Sequence, residues 1–334
     1  MAKKKISLQE IADSLGISKV SVSKALNGQP GIGPEMRQKV IATARELGYV
    51  MTRTANRDGN EKFAFFVLKR NFVENENFYT SIYYYLNKYS QKHNQELSTF
   101  VITNAEERGG VLPKTAQTGG FNGIYVAGEF EDSFLCRINE LGSSVVTIDY
   151  RSPRYAFDSV QTDNFFNGYA VSLYLIERGH RNIGFVGGTG YTSNVTDRFY
   201  GYRKALAEYG LNFDERNVIV NVDKETGLYS MDFGLPEVMP DAFVCHCDMA
   251  AYFLMQKLRA CGLSVPGDVS VISFDNTVLG EKCALTTMEI SKSTMAAEAL
   301  SAMTARLANL TAPPRRIYVA TKLIERDTVR QAVN

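Results

Sequence analysis

The sequence predicts an all-α head of three short helices joined to a larger α/β core that is divided into two lobes. Within the first fifty positions, apolar residues recur at helical spacing in short segments that glycines and serines separate. From Lys62 onward, short apolar runs alternate with longer amphipathic stretches, the pattern of buried parallel strands and their connecting helices. A chain of 334 residues is long enough for a small head and a large core, and too long for one ordinary domain.

Composition excludes a membrane protein and a disordered chain. Hydrophobic residues make up 45% of the sequence, yet no run of eighteen consecutive apolar positions occurs. The basic residues before Ile6 are not followed by an apolar signal-peptide core, so we expect the chain to remain in the cytoplasm. The cysteines are odd in number and scattered, so we expect reduced thiols at Cys136, Cys245, Cys247, Cys261 and Cys283.

Charge is distributed unevenly along the chain. Residues 1–57 contain ten Lys and Arg against four Asp and Glu, a net +6, whereas the remainder contains 27 against 32, a net −5. A basic segment on an otherwise acidic chain is typical of a protein that contacts a polyanion through that segment. A solvated basic tail is the alternative that charge alone leaves open.

Local signals place the three helices of the head. Ser7 and Glu10 form a capping box for a helix over residues 8–15, and Gly16 ends that helix in a left-handed conformation. Ser18 caps a second helix whose predicted inward residues are Val22, Ala25 and Leu26. A third helix from about Pro34 to Leu47 stops at Gly48, and we expect it to bury Met36, Val40, Ala44 and Leu47.

The second helix leaves a polar face in solvent. Its predicted exposed residues are Lys19, Val20, Ser21, Ser23 and Lys24. Short hydroxyls reach phosphate oxygens without steric bulk, and lysines are long enough to reach base edges in a major groove. For any single serine, an exposed helix residue without a nucleic-acid contact is the alternative.

The segment ISLQEIADSLGISKVSVSKALNGQPGIGPEMRQKVIATARELGY resembles, in residue spacing, the headpiece of the LacI/GalR family of bacterial transcriptional regulators. This resemblance implies a helix-turn-helix that binds double-stranded operator DNA, and hence a cytoplasmic, nucleoid-associated protein. It further implies that Lys19, Val20 and Lys24 face bases. The residues that it implies hold the DNA backbone are Ser18, Ser21, Ser23 and Asn27.

The hinge that follows the head departs from the family pattern. After Tyr49 the family has proline, asparagine and later alanine and leucine, whereas here only Ala55 matches and Asp58 stands at the leucine position. A carboxylate does not wedge into a minor groove as an apolar side chain does, so we predict weaker DNA bending. Arg53 and Arg57 then supply mostly sequence-independent attraction to the backbone. A one-residue shift in the alignment is the alternative.

The sequence of the core predicts two series of strands. The first comprises Phe63 to Leu68, Ser98 to Ile102, Gly123 to Val126 and Val145 to Ile148. The second comprises Ile183 to Val186, Val218 to Val222, Ala242 to Cys245 and Val269 to Phe274. Ligands of parallel sheets lie beyond the carboxyl ends of the strands, so we expect a cleft between the lobes at the residues that follow these runs.

The core phrases TDNFFNGY, LIERGHRNIGFVGG, DRFYGYRKAL, VPGDVSVISFDN, LTT and LIERDT are similar to the periplasmic-binding-protein-like core of the same family. The resemblance implies parallel sheets with helices on both faces. It divides the chain into a headpiece and hinge at 1–60 and an effector-binding and dimerisation core at 61–334. Within the core, it implies an N-lobe of about 61–161 and 292–319 and a C-lobe of about 162–291 and 320–334.

The same resemblance assigns effector contacts. It implies that Phe78 and Tyr79 stack on the effector, that Arg198 anchors it, and that Asp149 and Asp275 accept its hydroxyls. Further implied contacts are Cys247, which stands where the family has asparagine, together with Asp248 and Lys292. Such groups suit a sugar or related polyol, or a sugar phosphate if Lys292 binds an anion.

Three alternatives to these contacts remain open. Phe78 and Tyr79 are also consistent with core packing, Arg198 with a direct pair to Asp275, and Lys292 with a solvent-facing position.

The segment from Gly227 to Pro240 is shorter than in the family and lacks part of a helix.

Other motifs carry less weight. The turn that starts at Gly187 lacks the full dinucleotide-binding spacing, and His246 between two cysteines has no second ligand pair, so we expect neither cofactor nor metal. No nucleophile motif of a hydrolase is present. The resemblance therefore implies a homodimeric repressor of a carbohydrate operon with a small-molecule effector. The rivals are a sensor or adaptor with weakened specific DNA binding, and an α/β sugar-processing enzyme.

Overall fold

The computed structural model describes residues 6–26, 31–49, 61–72, 78–190 and 192–331. These residues form two compact units. The described residues of the first unit lie within Met1–Lys69, Ile82–Val160 and Ser293–Ile317, and those of the second lie within Arg70–Ser81, Gln161–Lys292 and Tyr318–Asn334. The hinge at residues 50–60 lies outside the described residues, and the domain boundaries taken from the sequence stay predictions.

The helices and strands follow one another along the chain in the predicted alternation. The head contains α1 (Leu8–Leu15), α2 (Lys19–Leu26) and α3 (Pro34–Glu46). Next come β1 (Glu61–Leu68), α4 (Phe78–Lys92), β2 (Gln95–Ile102), α5 (Asn104–Arg108), α6 (Lys114–Thr118), β3 (Gly123–Ala127), α7 (Asp132–Glu140), β4 (Ser144–Ile148) and β5 (Asp158–Gln161). The remainder contains α8 (Asn164–Glu177), β6 (Ile183–Val186), α9 (Ser193–Glu208), β7 (Val218–Ile219), β8 (Ala242–Cys245), α10 (Asp248–Ala260), β9 (Ser270–Asp275), α11 (Val278–Lys282), β10 (Thr286–Ile290), α12 (Lys292–Ala308), β11 (Arg316–Tyr318) and β12 (Thr321–Ile324).

The predicted caps of the head are confirmed. The hydroxyl of Ser7 accepts a hydrogen bond from the main-chain nitrogen of Glu10, and the Glu10 carboxylate accepts one from the main-chain nitrogen of Ser7. Gly16 ends α1 in the left-handed region at φ 65°, which a residue without a side chain adopts easily. The main-chain nitrogen of Ile17 then bonds back to the oxygen of Ala12.

The three head helices bury one apolar cluster, and its fully or nearly fully buried members are Ile11, Ala12, Val22, Ala25, Leu26, Val40 and Ala44. The prediction that Leu47 is buried is wrong, because its side chain is 37% exposed. The reason is local: α3 ends at Glu46, Gly48 takes φ 74°, and the main-chain nitrogen of Tyr49 bonds to the oxygen of Ala44. Leu47 thus lies on the solvent side of the turn that ends α3.

The described strands of each unit form one six-stranded sheet. The strand order is β11-β5-β4-β3-β1-β2 in the first unit and β12-β10-β9-β8-β6-β7 in the second. The pairs β1–β2, β1–β3, β3–β4 and β4–β5 are parallel, as are β10–β9, β8–β9, β6–β8 and β6–β7. The pair β10–β12 is antiparallel. In both sheets, the parallel strands point their carboxyl ends to one edge, as the sequence predicts.

Seven of the eight predicted strands of the core are present with shifts of a few residues at their ends. The exception is the run from Val218 to Val222, in which the strand stops at Ile219. Beyond it, the side chain of Asn221 is buried and donates to the main-chain oxygen of Ala250 at 2.9 Å. Val222 forms only an isolated bridge with Tyr229.

The segment from 220 to 241 contains turns, bends and that one bridge, and no helix, although all of its residues are described. This agrees with the prediction of a missing helix between Gly227 and Pro240. Partly buried side chains of the segment, including Phe233 and Met239, pack on the apolar cluster beneath α10. Among the described residues, no helix is both long enough and apolar enough to cross a membrane.

Candidate DNA-binding face and effector site

Helix α2 of the head presents a basic, polar face to solvent. Lys19 and Lys24 are exposed, Val20 is 64% exposed, and Ser21 and Ser23 are half-buried beside them. The helix contains no acidic residue. This face therefore offers cations, hydroxyls and one apolar side chain, the groups with which proteins contact phosphates and base edges.

The start of α2 is fixed by a serine cap. The Ser18 hydroxyl accepts a hydrogen bond from the main-chain nitrogen of Ser21 at 3.0 Å, and the two Oγ atoms are 2.9 Å apart. The cap satisfies a main-chain donor of the first turn and so holds the helix in one orientation. Asn27, Arg53 and Arg57 lie outside the described residues, and their DNA contacts stay predictions.

The guanidinium group of Arg198 lies at the carboxyl ends of strands in the second unit. It is nearly fully buried, and its Nε donates to Oδ1 of Asn164 at 2.8 Å while Nη1 donates to the main-chain oxygen of His246. Its Nη2 is 3.6 Å from Oδ1 of Asp275, and its central carbon lies 4.5 Å from the centre of the Phe274 ring. The pairing with Asp275 that the sequence leaves open is therefore present, at a separation longer than a direct hydrogen bond.

Two glycines bring α8 and α9 close enough to place Asn164 against Arg198. A Cβ at Gly168 would overlap the main chain of Arg198, and a Cβ at Gly201 would overlap the main-chain oxygen of Phe165. The two helices thus touch backbone to backbone, an approach that only residues without side chains permit. The position of the guanidinium depends on this close crossing.

Asp275 stands at the end of β9 in a left-handed backbone conformation, φ 99°, and Asn276 follows at φ 47°. Burial raises the pKa of the Asp275 carboxyl to about 6, and the positive charge of Arg198 opposes that rise. The ammonium of Lys292 donates to the main-chain oxygens of Asp275 and Asn276, the latter at 3.1 Å. Lys292 therefore holds the turn that carries Asp275, and its predicted effector contact stays a prediction.

Asp248 is fully buried at the start of α10, and four donors surround its carboxylate. Oδ1 accepts from the hydroxyls of Ser273 at 2.6 Å and Thr287 at 2.9 Å, and Oδ2 accepts from the main-chain nitrogen of Thr277 at 2.6 Å and its hydroxyl at 2.9 Å. A Cβ at Gly280 would overlap this carboxylate. These contacts favour an organising role for Asp248 over the effector contact that its place in the sequence predicts.

A second group of hydrogen-bonded polar side chains lies at the end of β8. The hydroxyl of Tyr229 is 3.0 Å from Nε2 of His246 and 3.2 Å from the sulfur of Cys247. Nδ1 of His246 lies 3.0 Å from the main-chain oxygen of Val186, so Nδ1 donates there and Nε2 accepts from Tyr229. Burial lowers the pKa of His246 to about 4, which keeps the ring neutral near pH 7. The sulfur of Cys247 also caps α10 by accepting from the nitrogen of Ala250.

The remaining predicted effector residues lie elsewhere in the chain. Asp149 directly follows β4 at φ 61°, and its main-chain nitrogen donates to the oxygen of Val160 at 2.8 Å. Phe78 begins α4 and is buried, and its ring meets the ring of Tyr79 edge to face with centres 5.1 Å apart. The burial of Phe78 fits the packing alternative, and the effector roles of these three residues stay predictions.

Two family models match the chain. The model of the bacterial regulatory proteins of the lacI family matches residues 7–51, which include the capped helices α1 and α2. The model of the periplasmic binding protein-like domain matches residues 173–329, which include Arg198, Asp248 and Asp275. The chain joins a LacI-family DNA-binding domain to a periplasmic-binding-protein-like domain.

LacI-family relatives align with nearly the whole chain. The HTH-type transcriptional regulator DegA of Bacillus subtilis strain 168 is 27% identical over 307 residues, which are 88% of this chain and 89% of the relative. The HTH-type transcriptional repressor PurR of Escherichia fergusonii is 26% identical over 328 residues, 96% of each chain. A solved complex of the transcriptional regulator CelR with cellobiose superposes with a TM-score of 0.68 at 25% identity, covering 97% of this chain and 100% of that one.

These matches confirm the predicted fold class, a helix-turn-helix headpiece with a periplasmic-binding-protein-like core of parallel sheets. With the relatives, they also confirm the predicted class of protein, a DNA-binding transcriptional regulator. Over the described ranges, no group of three or more His, Cys, Asp and Glu residues is placed to hold a metal ion.

Sequence reasoning missed three residues of this LacI-family site. Asn164 contacts Arg198, and the sequence contains a signal for it, because it follows the N-cap residue Asp163 within the family phrase TDNFFNGY. His246 and Tyr229 are 17 residues apart in the chain, and only the tertiary structure brings them together. No local pattern predicts that pair.

Proposed function

We propose that this LacI-family protein is a sequence-specific repressor of a carbohydrate-utilisation operon, and that a small carbohydrate or sugar phosphate changes its affinity for the operator. The observation that carries the proposal is the solvent face of α2, a capped helix with exposed Lys19, Val20 and Lys24 and no acidic residue. The relatives DegA and PurR, both named as HTH-type transcriptional regulators, support the DNA partner.

In the proposed complex, the protein is a homodimer that places two copies of α2 in successive major grooves of a roughly palindromic operator. Lys19, Val20 and Lys24 contact base edges. The residues proposed to hold the DNA backbone are Ser18, Ser21, Ser23, Asn27, Arg53 and Arg57. With a DNA partner, we propose that the protein is cytoplasmic and associated with the nucleoid.

The proposed effector site is centred on Arg198 and Asp275. Their charged atoms are 3.6 Å apart, too far for a direct hydrogen bond and near enough for one ligand hydroxyl to accept from Arg198 and donate to Asp275. Such a donor and acceptor side by side match a hydroxyl group of a sugar. The CelR complex with cellobiose supports a carbohydrate as the effector class.

We assign the site no catalytic activity. Effector binding alone is sufficient to shift an equilibrium between two states with different operator affinities. The two affinities are then linked: an effector that changes operator affinity by a given factor undergoes the same change in its own affinity when operator is present.

The DNA proposal is tested with an operator selected from random duplexes by the full-length protein. In the double variant Lys19→Ala, Lys24→Ala, we expect operator affinity to fall and the preference for operator over random duplexes to relax, because each lysine contact to a base edge contributes about 1–3 kcal/mol of discrimination. The homodimer also loses both lysines of each protomer, which lowers the slope of log affinity against log salt. Lys224→Ala, which removes an exposed lysine from the second unit, is the matched control and retains the parent slope. Unchanged operator affinity and slope in the double variant would overturn the proposal.

The effector proposal is tested by thermal-shift measurements against monosaccharides, disaccharides, sugar phosphates and nucleobases. We expect a shift with a carbohydrate for the parent, and its loss in Arg198→Lys, because lysine lacks the planar fork that holds Asn164 and the ligand at once. Any compound that shifts the parent is then measured with and without operator. Equal effector affinity in both conditions contradicts the regulatory mechanism.

A further inference from the structure

A short turn after α12 is held firmly in the first unit. Oδ1 of Asn309 accepts from the main-chain nitrogen of Thr311 at 3.1 Å, and the hydroxyl oxygen of Thr311 lies 2.8 Å from it. One turn earlier, Arg306 donates to main-chain oxygens that follow the turn, including that of Pro313 at 3.1 Å. Both sides of the turn are therefore anchored, and Leu310 at its tip has little freedom to move.

The anchor itself is a buried ion pair. Nε and Nη2 of Arg306 donate to the two carboxylate oxygens of Asp158 at 2.7 and 2.9 Å, and Oδ1 of Asp158 also accepts from the main-chain nitrogen of Arg315 at 2.6 Å. The side chains are 9% and 1% exposed. A bidentate pair with this burial fixes both direction and distance, so the turn is joined rigidly to β5.

The turn contacts the head. The side chain of Leu310 packs against the apolar cluster of α1, α2 and α3, although it belongs to a segment more than 250 residues later in the chain. The hydroxyl of Thr311 donates to the main-chain oxygen of Tyr49, directly after α3. The apolar cluster of the head is thus completed by a residue of the core.

A second contact lies at the end of α7. Nε2 of Gln38 is 3.5 Å from Oδ1 of Asn139. The guanidinium of Arg37 lies so close to Gly142 that a Cβ there would overlap it. A cation at this position also faces the carboxyl end of α7, which is favourable for the helix dipole.

The head and the rest of the first unit are not closely packed along their whole contact. An open pocket of about 340 Å³ lies where they meet, and both parts line it, with Leu26 and Ile41 from the head and Ser143, Tyr155 and Phe157 from the core. Contacts between domains of one chain are commonly more polar than a protein core, and relative motion of the domains is the default expectation for them.

From these contacts we infer that the head docks reversibly on its own core, at a seat formed by Asn309–Thr311 and Asn139–Gly142. The docked head keeps the face of α2 open, since Val20 remains 64% exposed. The seat follows α12, which starts at Lys292, the residue that holds the turn of Asp275. The inference rests on the proposed function for its regulatory meaning: docking orients α2 before DNA arrives, and α12 joins the seat to the effector site.

Cross-linking in the full-length protein tests the seat. Gln38→Cys and Asn139→Cys place two thiols where the side chains now meet, and a short bis-maleimide joins them, with the linked peptides identified by mass spectrometry. We expect Leu310→Asp to reduce the cross-linking rate about tenfold, because it replaces a partly buried apolar contact with a charge. Leu228→Asp makes the same substitution at a site that is 61% exposed in the second unit, and retains the parent rate.

A milder variant protects the test against unfolding of the head. Thr311→Val removes only the hydroxyl that reaches Tyr49, and we expect the rate to fall about threefold, as for one lost hydrogen bond. Hydrogen exchange of α1 and α2 reports whether the head remains folded. An absent cross-link in the parent pair, or equal rates in the parent, Leu310→Asp and Thr311→Val, overturns the inference.

The same samples separate this inference from the proposed function. Lys19→Ala, Lys24→Ala affects DNA binding and leaves cross-linking unchanged. If cross-linking fails while operator binding persists, the seat is wrong and the function stands. If the seat is confirmed while the double lysine variant binds operator like the parent, the DNA-reading proposal is the one that fails.

Discussion

Replacing Asp248 distinguishes a carboxylate that organises the second unit from one that binds an effector. In Asp248→Ala, four donors lose their acceptor, and the main-chain nitrogen of Thr277 has no rotation by which to find another. Hydrogen bonds to a charged group contribute about 1.5–3 kcal/mol each and are not additive, so we expect the free energy of unfolding to fall by about 3–5 kcal/mol.

Asp248→Asn has a smaller expected effect. If the amide oxygen faces Thr277, the main-chain nitrogen keeps its acceptor, while the amide nitrogen donates to the hydroxyls of Ser273 and Thr287 after they rotate. The geometry survives and the charge is lost, so we expect a decrease of about 1–2 kcal/mol. Effector affinity measured on the folded variant should match that of the parent, because the carboxylate is fully used within the protein.

The assay is urea unfolding followed by circular dichroism, since the chain contains no tryptophan. Asp232→Asn, at an exposed position in the same unit, is the control and is expected to unfold like the parent. An Asp248→Ala protein with the stability of the parent refutes the organising role. Loss of effector binding in Asp248→Asn without loss of stability restores the contact that the sequence predicts.

Two further predictions concern the surroundings of Arg198. Gly201→Ala forces α8 and α9 apart, so we expect the free energy of unfolding, measured by thermal denaturation, to fall by about 1–3 kcal/mol. The control Gly190→Ala has nothing within 4 Å of the new atom, and we expect its stability to stay near that of the parent. Equal effects of both substitutions contradict the close crossing. The pKa of Asp275 is raised from 3.8 to about 6, so the folded state favours the protonated carboxyl, and the stabilisation present below about pH 4 is lost as pH rises through about 6. The free energy of unfolding of the parent, measured relative to that of Asp275→Asn, should therefore fall by about 3 kcal/mol over that pH interval. A difference between the two proteins that stays constant with pH contradicts the prediction.

Local signals predicted the parts of the fold that local interactions determine. The capping box at Ser7 and the left-handed Gly16 involve residues a few positions apart, and both are confirmed. The end of α3 was misplaced by one residue, with the result that Leu47 was expected inside. The sequence predicts that the strand from Val218 continues to Val222, beyond its end at Ile219, because a hydrophobic pattern does not reveal a buried polar side chain such as Asn221. The hydrogen-bond partner of that side chain is 29 residues away.

The candidate site shows the same division between local and non-local information. The rule that functional residues follow parallel strands located Asp248 and Asp275 correctly at strand ends. It does not reveal that donors 25 to 39 residues further along occupy the carboxylate of Asp248. The two interpretations of Arg198, ligand anchor or partner of Asp275, were both open from the sequence because the choice depends on a 3.6 Å separation between atoms of different elements.

The antiparallel pairing of β12 with β10 has a consequence for handling this protein. The last strand covers an edge of the second sheet, and beyond it Thr328 bonds to Thr286 and Val271, and Arg330 to Ser270. Cutting the chain before Thr321 would leave β10 with unpaired main-chain donors and acceptors, a template on which other copies add strands. Forms cut before Thr321 are therefore expected to precipitate, and a tag should be placed beyond Arg330.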